Sequence, residues 1–579
     1  MVVIGIGIHF SRDKRTSENY LLGGRNMPFI AIGLAGMMSL FSSISIVMVP
    51  GEIFNHGLTL CLIGGTLGAV LPIPFYLLFT RFYFKLGSFT PYEYLEYRYD
   101  KTVRAVVAFS SFYTRVIYIG LVLYTSAKIF EASFGWAPWF SILLVAVVGI
   151  TCCFLGGSKA VVWTDVFQAV ITFGGFITVI AMLCYKIDGG AVTAVQVAFA
   201  DGHGAPQFRE AEFYSLSPYV RLLFWLLLWN AVITPLTNAC SDQVTIQRLL
   251  STKNWKEGLK SQVISTLSGG IFIFLLWFIG LALYTFYKQN PSHQIAAGQG
   301  DAAFFRFVAN YLPSPFSGIF MAAMLAAIMS TVSSATNSMA AVWLKEFHQK
   351  FINPNLDAAG EFRISRNATL IIGGFAIVLA LALDFSGKWL AQSVSEVGTL
   401  FWLIGAAILP AFLFAVLSGR ANAKLIWCYT FFAFGEGVAM NIWYALSRSS
   451  LQAYEKNPDA GFGWAGKLDA AYVWPWLVAG IALLLPYLAK NYRRTVKVKI
   501  SALLGFLFLG AAEGMLLWYV FSNAQITDEP RARSFAFSLP ISLIGAFIIL
   551  WFCPKQPREK YQGLTLSTLT QDVIHPDST

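Results

Sequence analysis

The sequence predicts an all-α polytopic membrane protein, and three observations carry that prediction. They are a composition too apolar for a water-soluble globule, a chain-long series of apolar stretches each roughly 20 residues long, and short, often basic segments between them. Of 579 residues, 56% are hydrophobic, 16% aromatic and only 12% charged, with a mean hydropathy of +0.62. A chain with so few charged side chains cannot keep its apolar surface out of water, so lipid is the solvent its composition fits.

The elements follow in order. A helix rises about 1.5 Å per residue and the hydrocarbon core is about 30 Å thick, so a span needs roughly 20 apolar residues. Fourteen stretches meet that length: 28–49, 59–80, 105–134, 137–154, 160–185, 219–245, 261–287, 313–345, 366–385, 394–418, 424–447, 469–489, 500–522 and 535–553. Ahead of them, residues 1–10 are apolar but too short to cross, and read as the tail of a truncated first helix. The basic run Arg12, Lys14, Arg15 follows this segment, whereas a signal peptide carries its basic residues in front. The expected organisation is a truncated helix and cytoplasmic loop at 1–27, a core at 28–418, further helices at 419–554 and a tail at 555–579.

Orientation comes from the basic residues. With the loop at 12–25 cytoplasmic and each later span reversing direction, most of the 41 Lys and Arg fall on cytoplasmic segments, while Arg115 and Lys128 lie within a span. The expectation is a multi-pass protein of the plasma (inner) membrane with a cytoplasmic C-terminus. The net charge of +11 is then a topology signal facing lipid headgroups, as at Arg81/Lys85 and Lys253/Lys256/Lys260, and calls for no nucleic-acid partner.

Other classes find no support. The seven cysteines, Cys61, Cys152, Cys153, Cys184, Cys240, Cys428 and Cys553, lie in or beside apolar spans without metal-type spacing and read as packing residues. There is no phosphate-binding loop, zinc signature or nucleophile constellation, and no segment long enough for a soluble catalytic or signalling domain. An enzyme and an organic cofactor are not expected.

What the spans contain is more specific. The eighth carries Ser330, Thr331, Ser333, Ser334, Thr336 and Ser338, and helical spacing puts several of these hydroxyls on one face. Such a run serves either close helix–helix contact or a hard cation that prefers hydroxyl and carbonyl oxygens. The first span carries Gly33, Gly36, Ser39, Ser42, Ser43 and Ser45 and ends at Pro50-Gly51, a pattern for an interrupted helix. The sixth repeats the device with Asn230, Pro235, Thr237 and Asn238, where the proline removes a helix hydrogen bond. Free carbonyls at membrane depth are tolerated where they line a cavity, and breaks at the first and sixth spans fit two inverted five-helix halves, about 28–185 and 219–418. Asp165, inside the fifth span, needs a partner at that depth; a bound cation would serve, unless the side chain is hydrated near the interface beside Lys159. Arg115, Glu396, Glu436 and Glu513 have no assigned role.

Four stretches resemble the sodium:solute symporter family, which includes sodium/glucose, sialic acid, proline, iodide and monocarboxylate transporters. They are 11–25, Gly156-Gly157 with 160–165, Asp242 to Arg248, and Ala327 to Ser338, in the family's order and spacing. The resemblance implies the inverted five-plus-five (LeuT-like) helix fold with added terminal helices, fourteen complete spans plus the truncated first. It implies a principal sodium site from the main-chain carbonyls of Met38, Phe41 and Ala327 and the hydroxyls of Ser330 and Thr331. It also implies a second sodium site, found in some members, from Asp165, Ser330, Ser333 and Ser334.

The substrate positions it points to are Ser42, Ser45, Asn238 and Ser395, with Gly64 and Leu67 beside them. These lack the polar ligands of the galactose-transporting branch. Sugar hydroxyls left unpaired in a buried site cost about 1–3 kcal/mol each, which argues against an identical sugar site. The run 49–57 is closer to the anion, vitamin and monocarboxylate branch, and a different sugar stays open. The expected activity is sodium-coupled symport of a small organic solute by alternating access. The rivals are a proton-coupled or exchange transporter using Asp165, and a channel or non-transporting sensor.

Overall fold

The computed structural model describes residues 2–11, 16–41, 43–87, 90–214, 224–291, 300–385, 408–423, 426–427, 556–557, 561–565 and 568. The chain divides into two units, one made of Met1–Pro91, Arg115–Phe213 and Leu227–Val394, the other of Tyr92–Thr114, Tyr214–Leu226 and Ser395–Thr579. The expected spans at 424–447 (apart from 426–427), 469–489, 500–522 and 535–553, with Glu396, Glu436, Glu513, Cys428 and Cys553, lie outside the described residues.

In chain order the helices are α1 (Val2–Phe10), α2 (Ser17–Leu22), α3 (Phe29–Leu40), α4 (Ser43–His56), α5 (Thr59–Val70), α6 (Pro72–Leu86), α7 (Glu93–Arg98), α8 (Lys101–Phe134) and α9 (Pro138–Lys186). They continue as α10 (Gly190–Ala200), α11 (Phe224–Cys240), α12 (Gln243–Leu250), α13 (Trp255–Gln289), α14 (Gly300–Tyr311), α15 (Phe316–Val342), α16 (Ala358–Phe385) and α17 (Ile408–Leu417). No strand occurs among the described residues. Among the described residues six helical runs are long and apolar enough to cross a membrane: Thr59–Leu86, Lys101–Lys128, Pro138–Lys186, Trp255–Gln289, Phe316–Ile352 and Ala358–Phe385.

Four boundaries differ from the sequence expectation. The first apolar stretch is interrupted earlier, between Leu40 and Ser43, and the second piece runs through Pro50 to His56 instead of ending there. The gap expected between the fourth and fifth stretches narrows to one non-helical residue, Gly157 (φ 58°, ψ −150°), which separates the two helices within α9. α11 stays helical through Pro235, so the expected break there is absent, and the chain turns only after Cys240. Neighbouring helices and hydroxyl back-bonds let a membrane helix carry a proline, and the Thr237 hydroxyl donates to the Ile233 carbonyl at 2.8 Å. The segment expected as a long loop at 186–218 contains α10.

In the first unit α15 packs chiefly on α9 and also on α3, α12 and α16, while α13 packs on α3 and α4. Small residues allow the closest approaches: a Cβ at Gly33 would fall 2.7 Å from the Ser261 carbonyl oxygen of α13. Phe272 of α13 stacks on Phe41 with ring centroids 4.6 Å apart, and Phe176 of α9 meets it edge-on at 5.1 Å. In the second unit buried Arg98 donates to the carbonyls of Ala415 (3.0 Å) and Ser418 (2.6 Å) at the end of α17.

Candidate functional site

The site begins with the break after α3. Phe41 leaves the helix with extended backbone (φ −100°, ψ 112°) while its N–H still donates to the Met37 carbonyl. The chain resumes as α4 at Ser43, so α3 does not run on past Phe41 to supply N–H donors to the carbonyls of its last turn. Met38 is fully buried in that turn and Phe41 is half-buried. Ser42 lies outside the described residues.

Opposite α3 runs α15, buried without interruption from Ala326 to Val342. Its hydroxyls divide by what they bond. Thr331 donates to the Ala327 carbonyl at 3.1 Å, Ser333 to the Ser330 carbonyl at 3.2 Å and Thr336 to the Val332 carbonyl at 2.7 Å. The Ser330 hydroxyl faces the buried Asp165 carboxylate, and beyond that contact neither Ser330 Oγ nor Asp165 Oδ1 has a hydrogen-bond partner. Both oxygens keep lone pairs that a cation can take where water is excluded. The five residues expected for the principal site therefore sit on two helices that pack together, and Ser333 and Ser334 continue the same helix toward Asp165 on α9.

Asp165 is fully buried, which removes the hydrated-interface reading with Lys159. Its partner is a protein cation that sequence reasoning missed: Arg248 Nη2 lies 2.5 Å from Asp165 Oδ2. Arg248 also donates to the Ser334 hydroxyl, which is itself 3.3 Å from Asp165 Oδ2. A buried carboxylate without such compensation would cost several kcal/mol. The pairing thus does what a bound cation was expected to do.

Arg248 is delivered by α12, an eight-residue helix that is buried throughout. Asp242 caps it, accepting from the Thr245 N–H at 2.9 Å and the Thr245 hydroxyl at 2.8 Å. Arg115, unassigned from sequence, bridges to the other oxygen of Asp242. At the far end Gln247 donates to the Leu21 carbonyl at 2.5 Å, and the Met27 N–H to the Ser251 carbonyl at 3.0 Å. The signal for this element was present as the stretch from Asp242 to Arg248, but a role for Arg248 was not readable from it.

The expected substrate residues are only partly placed. Ser45, Gly64 and Leu67 lie on α4 and α5, which pack together, with open space beside Gly64. Asn238 is half-buried on α11, and Ser395 lies outside the described residues. Cys152, Cys153 and Cys240 are buried free thiols, and no cluster of His, Cys, Asp and Glu suited to a transition metal occurs among the described residues.

The comparisons with known proteins agree on one family. The chain is 25% identical over 419 residues to the sodium/sialic acid symporter SiaT of Proteus mirabilis, covering 72% of this chain and 83% of that protein. It is 28% identical over 431 residues to the human sodium-coupled monocarboxylate transporter 1, covering 73% and 69%. A solved structure of a Na+-coupled sialic acid symporter, in its substrate-bound outward-open state, superposes with a TM-score of 0.68 at 22% identity over 75% of this chain and 88% of that one; this likeness carries the fold. Residues 20–425 match the sodium:solute symporter family. The chain belongs to that family of membrane transporters, the sodium:solute symporters.

Proposed function

We propose that the protein is a sodium-coupled secondary active symporter that imports a small organic solute by alternating access. One observation carries the reading: the helix break at Phe41 ends a helix packed against α15, where the buried Ser330 hydroxyl faces the buried Asp165 carboxylate. Neutral oxygens gathered at an interrupted helix suit a hard monovalent cation. The principal sodium site is assigned to Met38, Phe41, Ala327, Ser330 and Thr331, and a second to Asp165, Ser330, Ser333 and Ser334. The solute site is assigned to Ser42, Ser45, Asn238 and Ser395.

External sodium stabilises the outward-open state, solute binds beside the first, sixth and tenth spans, and the rocking of one bundle against the other exposes both to the cytoplasm. The inverted repeat, fourteen complete spans, plasma-membrane location and cytoplasmic C-terminus belong to the same proposal. Relatives named for sialic acid and monocarboxylates place carboxylate-bearing solutes first among the substrates to try. The test is uptake of a solute panel into proteoliposomes with and without an inward sodium gradient. Concentrative uptake that vanishes without sodium supports the proposal; uptake undiminished without sodium overturns it in favour of proton coupling or exchange.

A further inference from the structure

Resting on the reading of a second sodium site at Asp165, we propose that Arg248 is a tethered rival of that sodium, occupying the carboxylate in the state seen here and displacing the ion into the cytoplasm at the end of each cycle. The geometry that points to this is a half-built cage. Asp165 offers Oδ2 to Arg248, while its Oδ1 has no other close donor and the Ser330 hydroxyl faces the carboxylate. Three of the four residues assigned to the sodium, Asp165, Ser330 and Ser334, are thus in contact with Arg248 or left open beside it. A sodium and a guanidinium cannot share this buried carboxylate at hydrogen-bond range without strong repulsion, because the low dielectric leaves like charges poorly screened.

The bridge is built to release. A guanidinium matches a carboxylate with two parallel donors, but here only Nη2 engages, and Nη1 is buried with no partner. Next to it lies a small cavity lined by Gly36, Ser39, Tyr76, Thr245, Gln262 and Ser265. The cavity has room for about one water molecule and not for a guanidinium, so Arg248 leaves the carboxylate by a shift of the helix that carries it. The carrier, α12, is short, held at its start by the Arg115–Asp242 bridge and at its end by the Gln247–Leu21 and Met27–Ser251 hydrogen bonds, so the charge moves when α12 shifts together with the segment from Leu21 to Met27.

The experiment measures sodium binding to the purified full-length protein without solute, by 22Na+ binding and by the sodium-induced rise in Tm. Two binding components are expected in the wild type. Arg248→Gln should tighten the weaker one on the order of tenfold, within the range usual for coupled sites, and slow solute turnover because release loses its displacing charge. Arg248→Lys, which keeps the charge on a point-like head, should fall between, and it serves where Arg248→Gln does not fold. Asp165→Asn with Arg248→Gln, which removes both charges, should lose the weaker component altogether. Unchanged or weaker sodium binding in Arg248→Gln and Arg248→Lys, with the component still lost on adding Asp165→Asn, overturns the rivalry and leaves the second site standing. A single component in the wild type that Asp165→Asn does not alter removes the second site itself, and the rivalry with it.

Discussion

The hydroxyl of Thr331 donates to the carbonyl of Ala327 one turn earlier, at 3.1 Å, so two of the oxygens assigned to the principal sodium are bonded to each other. The bond uses the hydroxyl proton and one lone pair of the carbonyl. A lone pair on each oxygen is left for a cation. Thr331→Ala removes one ligand and the restraint on the other, and Ser330→Ala removes a hydroxyl that faces the Asp165 carboxylate. Losing a bond to a charged group costs about 1.5–3 kcal/mol, so half-activating sodium should rise roughly tenfold or more in each variant. Thr331→Ser, which keeps the oxygen, should stay near wild type. Sodium dependence of uptake that is unaltered in both alanine variants refutes the principal site.

Gly157 sets the direction of α9 on a backbone conformation (φ 58°, ψ −150°) closed to other residues. A Cβ there would sit 2.5 Å from the Tyr20 carbonyl oxygen and 3.0 Å from its Cα, so backbone, not a side-chain tip, has to move. Gly157→Ala should destabilise by at least about 1–3 kcal/mol from strain alone. Gly174→Ala on the same helix, with open space at its Cβ, should change stability by less than about 0.5 kcal/mol. Thermal unfolding in detergent checks the pair, and equal Tm values for the two variants contradict the account.

These positions also mark where the sequence was readable. The hydroxyl run of α15 is a local pattern that local rules found; an interruption of the first span was expected too, but it lies between Leu40 and Ser43 and not at Pro50. Pro235 obeys the same rule in the abstract, yet α11 continues through it, with the Thr237 hydroxyl bonded back to the Ile233 carbonyl. The bend at Gly157 was expected as a loop, since composition separates apolar stretches but does not say whether a helix bends or stops. The Asp165–Arg248 pair joins residues 83 positions apart. Periodicity carries no information at that separation, so a cation was expected and an arginine was found.

His203, in the turn after α10, stacks on Tyr284 with ring centroids 3.6 Å apart, and its Nε2 lies 3.0 Å from the Phe54 carbonyl. Burial holds its imidazole below the usual value of 6.5, against the opposing pull of Asp201. The unfolded chain therefore binds the extra proton more readily, and stability falls as pH drops below 6.5. Asp201 is held below 3.8, chiefly by its hydrogen bond from Lys288, so it keeps its charge through that window and loses its contribution only in stronger acid. Tm measured from about pH 5 to 8 should slope less in His203→Gln than in wild type; parallel slopes would show that another group sets the dependence.

Asp165→Asn should change the charge carried per solute while leaving sodium binding at the principal site measurable. Asp165 belongs only to the second site, so its neutralisation removes the charge compensation there and leaves the Met38, Phe41, Ala327 and Thr331 oxygens in place. Ser330 is common to both sites, so some loss of affinity at the principal site is expected as well. The variant also strands Arg248, and breaking a buried pair on one side costs about 3–5 kcal/mol, so Asp165→Asn should unfold at a lower temperature. Adding Arg248→Gln removes the stranded charge and should restore part of that Tm, which separates the electrostatic cost from loss of an ion. The deciding measurement is the ratio of charge to solute flux in proteoliposomes held at a set voltage. Each sodium contributes about 2.3 kcal/mol per 100 mV, so losing one of two ions also flattens the voltage dependence of accumulation. A ratio of one charge per neutral solute in the wild type, unchanged in both variants, would mean that Asp165 serves Arg248 alone and that Ser333 and Ser334 are packing residues.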